Sequence, residues 1–323
     1  MQNSVHLLCR NFAVNVLSCR ASVAYQNMHV RPIMSCFVPE LKQPHVHIKN
    51  VDHVTKTLCQ MISHGSKKLQ VVADFDRTLS KYSHRGQVCA TCHNVLEESR
   101  IMPDVYKKKT TELRDYYMPI EFDASLTKEQ KIPHIIEWYT RAHDVLLACH
   151  MTKDDIIHMV RESKLQLRDG CQWFFSELHK LGVPLLIFSA GIGDVIEEVI
   201  RQQSKMYPNM QIVSNFMDFD SEGKLIGFKG TLIHSFNKNE DSIHASDYFE
   251  KLKNHENLLL IGDHVGDVLM ADGAEITSSL KIGFLNHNVE KNLESYKESF
   301  DIVIQEDETM DIVNAIIRKI SEV

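Results

Sequence analysis

Short runs of apolar residues, each about as long as a β-strand, recur along the chain and end in polar or small residues. The six runs with this pattern cover 70–73, 184–188, 211–214, 257–261, 281–285 and 301–304. Continuous apolar runs of this length are typical of strands that are buried on both faces of a parallel sheet. We therefore predict a central sheet built from these six segments.

The intervals between these runs carry apolar residues at helical spacing. Helices are predicted over 171–181, 194–203, 245–252 and 266–273. Strands that alternate with helices indicate an α/β fold, in which a Rossmann-like parallel sheet has helices on both faces. Residues 216–230 interrupt this alternation with two β-prone pieces around the turn sequence Ser221-Glu222-Gly223, which predicts a small excursion.

The long interval over 82–168 does not alternate. It is rich in Lys, Glu, Met and Leu, and its apolar positions follow helical spacing. We predict a helical domain over 84–168 that is inserted into a core formed by 40–83 and 169–323.

Residues 1–39 differ from the rest of the chain, because they contain Arg10, Arg20 and Arg31 but no Asp or Glu. Basic segments without acids are typical of mitochondrial presequences. The alternative, which we prefer, is a poorly ordered N-terminal extension of a cytoplasmic protein.

Composition limits the classes of partner. The 323 residues are 43% hydrophobic and 24% charged, with a formal net charge of −7. A mildly acidic chain has no general attraction to nucleic acid polymers or to anionic membranes, and no run of 18 apolar residues predicts a membrane span. Eight scattered cysteines favour a reduced compartment, and Cys89-Ala-Thr-Cys92 leaves zinc as a weaker alternative. We expect a monomer that acts on a small molecule.

Acidic residues follow two of the apolar runs. Asp74 and Asp76 come directly after the first run, and Asp263 and Asp267 come after the fourth. Ligands bind beyond the carboxyl ends of the strands in open α/β sheets, so these carboxylates are candidates for one shared site.

Two further polar segments follow strand ends. A turn of small residues begins at Ser189 and Ala190 and precedes a helix, so it offers N–H groups and a hydroxyl to an anion. Lys238 adds a cation. Four carboxylates in one cleft repel each other unless protons or a cation neutralise them, and Mg²⁺ suits carboxylates that share a site with a phosphate. We therefore predict Mg²⁺ as the cofactor.

The motifs occur in the order Asp-x-Asp-x-Thr, Ser, Lys and Gly-Asp-x-x-x-Asp, each after an apolar run. This order resembles the haloacid dehalogenase superfamily. Members that cleave carbon–halogen bonds lack the second Asp of the first motif, so Asp76 favours a phosphatase.

The resemblance implies a two-step phosphoryl transfer. Asp74 would attack phosphorus and form an aspartyl phosphate, and Asp76 would protonate the leaving oxygen and later activate water. Thr78 would orient the loop. Ser189 and the N–H of Ala190 would hold phosphate oxygens.

The same resemblance implies roles for the remaining charged residues. Lys238 would offset charge on the nucleophile and on the transferred group. Asp74, Asp263 and the main-chain carbonyl of Asp76 would bind Mg²⁺, and Asp267 would support the site.

A closer resemblance covers nearly the whole chain from about Val51. Segments 74–80, 137–140, 188–195, 213–219 and 227–230 are similar to cytosolic 5′-nucleotidase III, the pyrimidine 5′-nucleotidase family. This resemblance implies hydrolysis of nucleoside 5′-monophosphates to nucleoside and phosphate with Mg²⁺. It also implies that the helical insertion is a cap over the active site.

In this family the cap would place His93, Glu121 and Trp138 against the nucleoside. Trp138 offers a flat face for base stacking, and Glu121 can accept hydrogen bonds from a base or balance a cationic one. The alternatives are a core role for Trp138, which lies in an apolar helical pattern, and surface positions for His93 and Glu121.

Ala142 bears on the choice of base. The pyrimidine-preferring branch has a serine here, and the branch specific for 7-methylguanosine phosphate has an alanine; the loss of a hydroxyl can shift base preference. Trp138-Tyr139 and Cys92-His93 are more similar to the pyrimidine branch. We predict activity on 7-methyl-GMP, CMP and UMP, with a slight preference for 7-methyl-GMP. The alternatives are a phosphatase for a small metabolite such as phosphoserine, and a nucleotide-binding protein without turnover.

Overall fold

A seven-stranded sheet forms the centre of the fold in the computed structural model, which describes residues 36–123, 125–238, 252–270, 272 and 275–322. The strands in chain order are β1 (Val46–His47), β2 (Leu69–Ala73), β3 (Ser83–His84), β4 (Gln87–Val88), β5 (Leu185–Ile192), β6 (Met210–Asn215), β7 (Met217–Phe219), β8 (Leu225–Phe228), β9 (Asn257–Gly262), β10 (Ser278–Leu285) and β11 (Ile302–Gln305). The central sheet has the order β1-β11-β10-β9-β2-β5-β6, and β1 is its one antiparallel strand. The predicted parallel α/β sheet is confirmed.

Helices pack on both faces of this sheet. In chain order they are α1 (Val51–His64), α2 (Cys92–Glu97), α3 (Asp104–Glu121), α4 (Lys128–Leu147), α5 (Lys153–Glu162), α6 (Cys171–Lys180), α7 (Gly193–Gln203), α8 (Val289–Ser299) and α9 (Asp311–Ser321). Alternate residues of β2 and β9 enter two separate hydrophobic clusters. Val71 and Leu259 belong to one cluster, whereas Val72 and Leu260 belong to the other. Successive side chains of a strand point to opposite faces, so both faces of the sheet are covered.

Each of the six predicted strands is present, and the secondary structure differs from the predictions elsewhere. β1, β3 and β4 were not predicted, because each has two residues, which is too short to show a pattern. β5 continues through Ile192, past a register shift that follows Phe188. The predicted helix over 266–273 is a 3₁₀ helix, Val265–Leu269.

Some predictions fall outside the described residues. These are most of the N-terminal extension over 1–39, of which the structure describes residues 36–39, and most of the helix over 245–252.

The helical insertion leaves and rejoins the core at one place. Helices α2 to α5 lie between β2 and β5. The outgoing segment pairs with the returning segment, because the N–H of Lys81 donates to the carbonyl of Gln166 at 2.8 Å and the N–H of Arg168 donates to Leu79 at 2.9 Å. The paired segments 79–81 and 166–168 form the connection between the insertion and the sheet, and we call this connection the hinge. The domain boundaries at 84 and 168 stay a prediction.

The excursion over 216–230 is a β-hairpin. β7 and β8 pair antiparallel around Gly223, which adopts a φ of 79°. A positive φ is readily adopted by glycine, as the turn requires. The ring of Phe228 in β8 stacks on His143 of α4, with centroids 3.6 Å apart. The hairpin therefore packs against the helical insertion.

The sequence predicted reduced cysteines and no membrane span. Cys36 and Cys59 form a disulfide, so the expectation of reduced cysteines is wrong for this pair. Cys89 and Cys92 are free and buried, and within the described part of the chain neither belongs to a cluster that could hold a metal ion. No helix in the described ranges has the length and apolar character needed to cross a bilayer.

Candidate active site

Asp74 lies at the carboxyl end of β2, where the candidate active site begins. Its N–H donates to the carbonyl of Ile261 in β9 at 2.9 Å, so the two strands stay joined as far as this residue. The chain then makes a π-helical turn over Phe75–Leu79, in which Arg77 adopts a φ of 63°. A positive φ is uncommon for residues other than glycine, and here it changes the chain direction directly after Asp76. Both carboxylates of the first motif therefore lie beyond the end of the sheet.

A buried network joins Lys238 to two carboxylates. Its Nζ donates to Oδ1 of Asp74 at 2.6 Å and to Oδ1 of Asp267 at 2.8 Å. Oδ2 of Asp267 accepts hydrogen bonds from the N–H groups of Asp263 and His264, at 3.1 and 3.0 Å. The side chains of Asp74, Lys238 and Asp267 are at most 8% exposed. The structure thus brings together residues from three motifs that are far apart in the sequence.

Three carboxylates of this network could share a cation. Among the described residues, Asp74, Asp263 and Asp267 form the one group whose ligand atoms all lie within 4.8 Å of one another. Carboxylate oxygens are the hard donors that divalent cations such as Mg²⁺ prefer, so the donor set fits a dication. Both oxygens of Asp267 already accept hydrogen bonds from Lys238 and from the backbone. Asp267 is therefore better suited to support the site than to bind the ion.

Burial makes the negative charges of this group costly without a cation. It raises the pKa of Asp74 to about 7, although Lys238 opposes the rise. Burial also raises the pKa of Asp263 well above its ordinary value, and repulsion from Asp74 and Asp267 adds to the effect. Burial lowers the pKa of Lys238, but attraction to Asp267 and Asp74 outweighs burial and raises it overall. The lysine is therefore charged, and a dication would stabilise the ionised carboxylates further.

Asp76 has a separate environment. Its Oδ1 accepts a hydrogen bond from the N–H of Cys92, the first residue of α2, at 2.9 Å. Burial raises the pKa of Asp76, against the lowering effect of this hydrogen bond. A carboxyl group with a raised pKa retains its proton more readily, which is what a general acid requires.

The segment after Phe188, which was predicted to be a turn, is extended. Ser189 is buried, and its Oγ accepts a hydrogen bond from the N–H of Gly191 at 3.1 Å. β5 continues to Ile192, and the helix begins at Gly193, one residue before the predicted start at 194. A Cβ on Gly191 would lie 3.1 Å from Cβ of Cys92, so glycine permits α2 to approach this strand end.

Two neighbouring cavities surround these groups. One, of about 260 Å³, is lined by the acidic network together with Ser189 and Ala190. The other, of about 230 Å³, lies among helices α2, α3 and α4 and has Trp138 and Ala142 in its wall. Five residues line both cavities, namely Arg77, Thr91, His93, Glu121 and Tyr139. A ligand with a phosphate in the first cavity and a flat group in the second would pass between these five residues.

The predicted nucleoside contacts have distinct surroundings. Trp138 is half-buried, and its ring stacks on Tyr117 with centroids 6.0 Å apart and planes 14° apart. His93 meets Tyr139 edge to face at 5.8 Å. The carboxylate of Glu121, at the end of α3, accepts a hydrogen bond from the hydroxyl of Ser235 in the core. Glu121 therefore connects the insertion with the core in addition to lining both cavities.

Thr78 lies in the π-helical turn and is fully buried. Its carbonyl accepts a hydrogen bond from Nε of Arg168 at 2.7 Å. Its hydroxyl has no hydrogen-bond partner among the residues described. Arg168 thus holds the turn at the main chain of Thr78, and the orienting role of Thr78 stays a prediction.

Sequence reasoning missed Tyr139, Ser235 and Arg168 as residues of the site. Tyr139 follows Trp138 directly and lies four residues before His143, so helical spacing could have placed it on the same wall. Ring contacts join Tyr139 to His143 at 6.3 Å. Ser235 and Arg168 carry no sequence signal of this kind, because their roles depend on how distant segments pack.

The comparisons with known proteins agree with this geometry. The family model of pyrimidine 5′-nucleotidases (UMPH-1) matches residues 77–321. This chain belongs to the pyrimidine 5′-nucleotidase family. The fold is of the haloacid dehalogenase type, and the predictions of family, fold and 5′-nucleotidase class are confirmed.

Relatives in this family align over most of their length. The 7-methylguanosine phosphate-specific 5′-nucleotidase of Gallus gallus is 45% identical over 284 residues, which cover 88% of this chain and 98% of the relative. The protein of that name from Homo sapiens is 46% identical over 257 residues, or 79% and 86% of the two chains. A crystal structure of cytosolic 5′-nucleotidase IIIB bound to cytidine superposes with a TM-score of 0.81 and 32% identity, covering 88% of this chain and 96% of that chain.

Proposed function

We propose that this protein is a Mg²⁺-dependent 5′-nucleotidase that hydrolyses 7-methyl-GMP, CMP and UMP through an aspartyl-phosphate intermediate. The observation that carries the proposal is the junction of two cavities. An acidic, lysine-containing cavity of about 260 Å³ adjoins an aromatic cavity of about 230 Å³, and five residues line both. A nucleoside 5′-monophosphate has a dianionic end and a flat end joined by a sugar, which matches this arrangement.

Asp74 is the proposed nucleophile. A carboxylate oxygen attacks phosphorus, and the bond from phosphorus to the 5′ oxygen of the sugar breaks. Asp76 gives its proton to that oxygen, and the nucleoside leaves. Asp76 then accepts a proton from a water molecule, which attacks phosphorus and breaks its bond to Asp74. Phosphate leaves, and both carboxyl groups return to their starting states.

Charge stabilisation comes from groups that are already in place. Lys238 donates to Asp74 and is charged, so it can balance the nucleophile and the oxygens of the transferred group. Mg²⁺ held by Asp74, Asp263 and the main-chain carbonyl of Asp76 would add charge neutralisation for the phosphoryl group. We propose that Ser189 and the N–H of Ala190 bind phosphate oxygens, since both residues line this cavity.

The aromatic cavity supports recognition of a base. One face of Trp138 is covered by Tyr117, and Trp138 also lines the cavity, so a base can contact the remaining surface of its ring. Glu121 and Glu97 line this cavity too, and Arg114 pairs with Glu97 at 2.9 Å. Among the described residues Glu121 accepts a hydrogen bond from a neutral hydroxyl and has no ion pair within 4.0 Å, so a cationic base such as 7-methylguanine could pair with it. The names of the curated relatives support the same preference.

Phosphate release from a substrate panel tests this proposal. The panel contains 7-methyl-GMP, CMP, UMP and phosphoserine, each with Mg²⁺ and with EDTA. We expect phosphate release from the nucleotides, and this release should require Mg²⁺. The Asp74→Asn variant should be inactive, whereas Asp52→Asn, a control at an exposed position of α1, should be fully active. Release from phosphoserine alone would support the small-metabolite phosphatase, and no release from any substrate would support a binding protein without turnover. Normal turnover by Asp74→Asn would show that the nucleophile is assigned wrongly.

Three further properties concern the location, the oligomeric state and the domain boundaries of the protein. The name of the cytidine-bound relative places that protein in the cytosol, and we propose the cytoplasm for this chain, with mitochondria as the alternative for residues 1–39. We also propose a monomer, and a cap domain over 84–168. Fractionation of cells that express the full chain, sizing by light scattering, and limited proteolysis would test these three points.

A further inference from the structure

Arg168 is a buried arginine at the point where the helical insertion rejoins the core. Its side chain is among the largest that the structure buries fully, and the residue is 2% exposed. Its N–H donates to the carbonyl of Leu79 at 2.9 Å, so the returning segment lies directly beside the end of the π-helical turn. Arg168 lines neither of the two cavities, so it does not contact the substrate in the proposed mechanism.

The guanidinium of Arg168 binds main-chain carbonyls of the turn that carries Asp76. Nε donates to the carbonyl of Thr78 at 2.7 Å, and Nη2 donates to the carbonyl of Arg77 at 2.6 Å. Nη2 also donates to Oδ1 of Asn286 at 2.7 Å, and Nδ2 of Asn286 donates to the same Arg77 carbonyl at 3.0 Å. Two side chains thus converge on the residue that directly follows Asp76.

Further contacts fix the guanidinium itself. Nη1 donates to the carbonyl of Asp307, and the guanidinium lies over the ring of Phe284 at 3.8 Å. Among the described residues, Arg168 has no ion pair with a carboxylate within 4.0 Å. A buried charge without a counter-ion is costly, and these contacts offset the cost only because the planar fork matches several acceptors at once. The arrangement is therefore specific to arginine and to this conformation of the turn.

The turn needs such donors because of its shape. The φ of 63° at Arg77 turns successive carbonyls away from a helical ladder, and buried carbonyls without donors are unfavourable. If the turn relaxed, the carboxyl of Asp76 would move relative to the N–H of Cys92 and to the bound ester. A small displacement of a proton donor reduces general acid catalysis sharply, because the proton must be transferred over hydrogen-bond distance.

We propose that Arg168, together with Asn286, is a positioning residue that holds Asp76 in place for protonation of the leaving group. The inference rests on the proposed function, in which Asp76 is the general acid. Displacement of Asp76 slows proton transfer to the leaving oxygen, and it also slows the later activation of water, which is the same step for every substrate. The value of kcat/KM covers only the steps up to departure of the leaving group, so its loss depends on how much each substrate needs the proton. An alkyl ester such as a nucleotide needs the proton, whereas 4-nitrophenyl phosphate has a leaving group that departs as a stable anion.

The experiment compares kcat/KM on CMP or 7-methyl-GMP with kcat/KM on 4-nitrophenyl phosphate. In Arg168→Lys, the lysine can reach one carbonyl but not the whole set, and we expect kcat/KM on the nucleotide to fall about 10- to 100-fold. The fall on 4-nitrophenyl phosphate should stay within about 3-fold. Asn286→Ala should change the ratio in the same direction by a smaller factor, and it tests the proposal even if Arg168→Lys does not fold.

Lys81→Met is the matched control. Lys81 is also a cation that is 2% exposed at the same hinge, but its side chain pairs with Asp169 at 2.8 Å, and among the described residues it makes no hydrogen bond to the turn. We expect this variant to lose thermal stability without a change in the ratio of the two kcat/KM values. Equal losses of kcat/KM on both substrates in Arg168→Lys and Asn286→Ala, or an unchanged kcat/KM on the nucleotide, would overturn the positioning role.

The failure of the proposed function gives a different result. In that case the wild-type enzyme releases no phosphate from any nucleoside 5′-monophosphate. Phosphoserine, an alkyl ester of the same kind, then replaces the nucleotide, and the ratio still tests Arg168.

Discussion

Removal of the Lys238 ammonium should destabilise the protein in a way that depends on pH. Lys238→Met keeps most of the apolar stem and leaves Asp74 and Asp267 facing each other without a cation between them. In the wild-type protein both carboxylates lie within 2.8 Å of Nζ, and all three side chains are at most 8% exposed. Removing one partner from a buried ion pair typically costs about 3–5 kcal/mol, because the remaining charges stay buried.

The free-energy cost of burying these charges can also be derived from the pKa of Asp74. Its pKa is about 7 against a model-compound value of 3.8, and each pKa unit corresponds to about 1.4 kcal/mol. The ionised form of Asp74 is therefore already unfavourable by about 4 kcal/mol with Lys238 present and no metal bound. Lys238 lowers this pKa, so the variant raises it further. A carboxyl group whose pKa is higher in the folded state binds more protons there, so stability decreases as pH rises through the folded pKa.

Urea unfolding in EDTA, followed by circular dichroism, measures this effect. We expect Lys238→Met to lose about 3–5 kcal/mol near pH 8 and clearly less near pH 5.5, where protonation relieves the repulsion. Added Mg²⁺ should recover part of the loss near pH 8. Lys291→Met, on the exposed surface of α8, is the control and should match the wild type at both pH values. A deficit independent of pH, or no deficit near pH 8, would refute this account of the network.

Two further substitutions separate substrate recognition from the structure of the phosphate site. Trp138→Ala should weaken nucleotide binding by about 1–3 kcal/mol, seen as a higher KM, while 4-nitrophenyl phosphate hydrolysis stays unchanged; equal losses on both substrates would assign Trp138 to packing. Gly262→Ala would place a Cβ 2.5 Å from Cβ of Asp267. We therefore expect calorimetry to show a loss of folding stability of about 1–3 kcal/mol, and we expect Mg²⁺-dependent turnover to be lost. Gly227→Ala, where a Cβ meets no heavy atom within 4 Å, should retain both, and wild-type behaviour of Gly262→Ala would contradict the close packing inferred for Asp267.

The sheet could be predicted from sequence because its strands are buried on both faces. Burial on both faces requires unbroken apolar runs, and each of the six runs corresponds to a strand. β1 was not predicted, because a strand of two residues shows no alternation of apolar and polar positions. The 3₁₀ helix over Val265–Leu269 was predicted too long, since apolar spacing does not reveal that Asp267 binds the backbone of the preceding turn. The disulfide between Cys36 and Cys59 likewise depends on tertiary proximity.

The proximity of the acidic residues at the proposed phosphate end was predictable for the same reason as the sheet. Parallel strands bring their carboxyl ends to one edge, so acidic residues after β2 and β9 must be neighbours once those strands pair. The base end follows no such rule, because it is built from helices whose packing angles the sequence does not specify. Tyr139 lines the base end through that packing, and a pattern of apolar positions is compatible with many such arrangements. Ser235 and Arg168 depend on contacts between the insertion and the core, which no sequence pattern reveals.

The core and the helical insertion therefore have different proposed roles. The carboxylates proposed for chemistry lie just beyond the ends of β2 and β9, and Lys238 reaches them from the segment after β8. The groups proposed for base recognition lie on α2, α3 and α4. Connections between the two parts include the bond between Glu121 and Ser235 and the hinge beside Arg168. Substitutions in the aromatic cavity should therefore act mainly on KM and on base preference, and substitutions at strand ends mainly on kcat. Residues at the connections should change both parameters, because they determine how accurately a base held by the insertion presents its phosphate to Asp74.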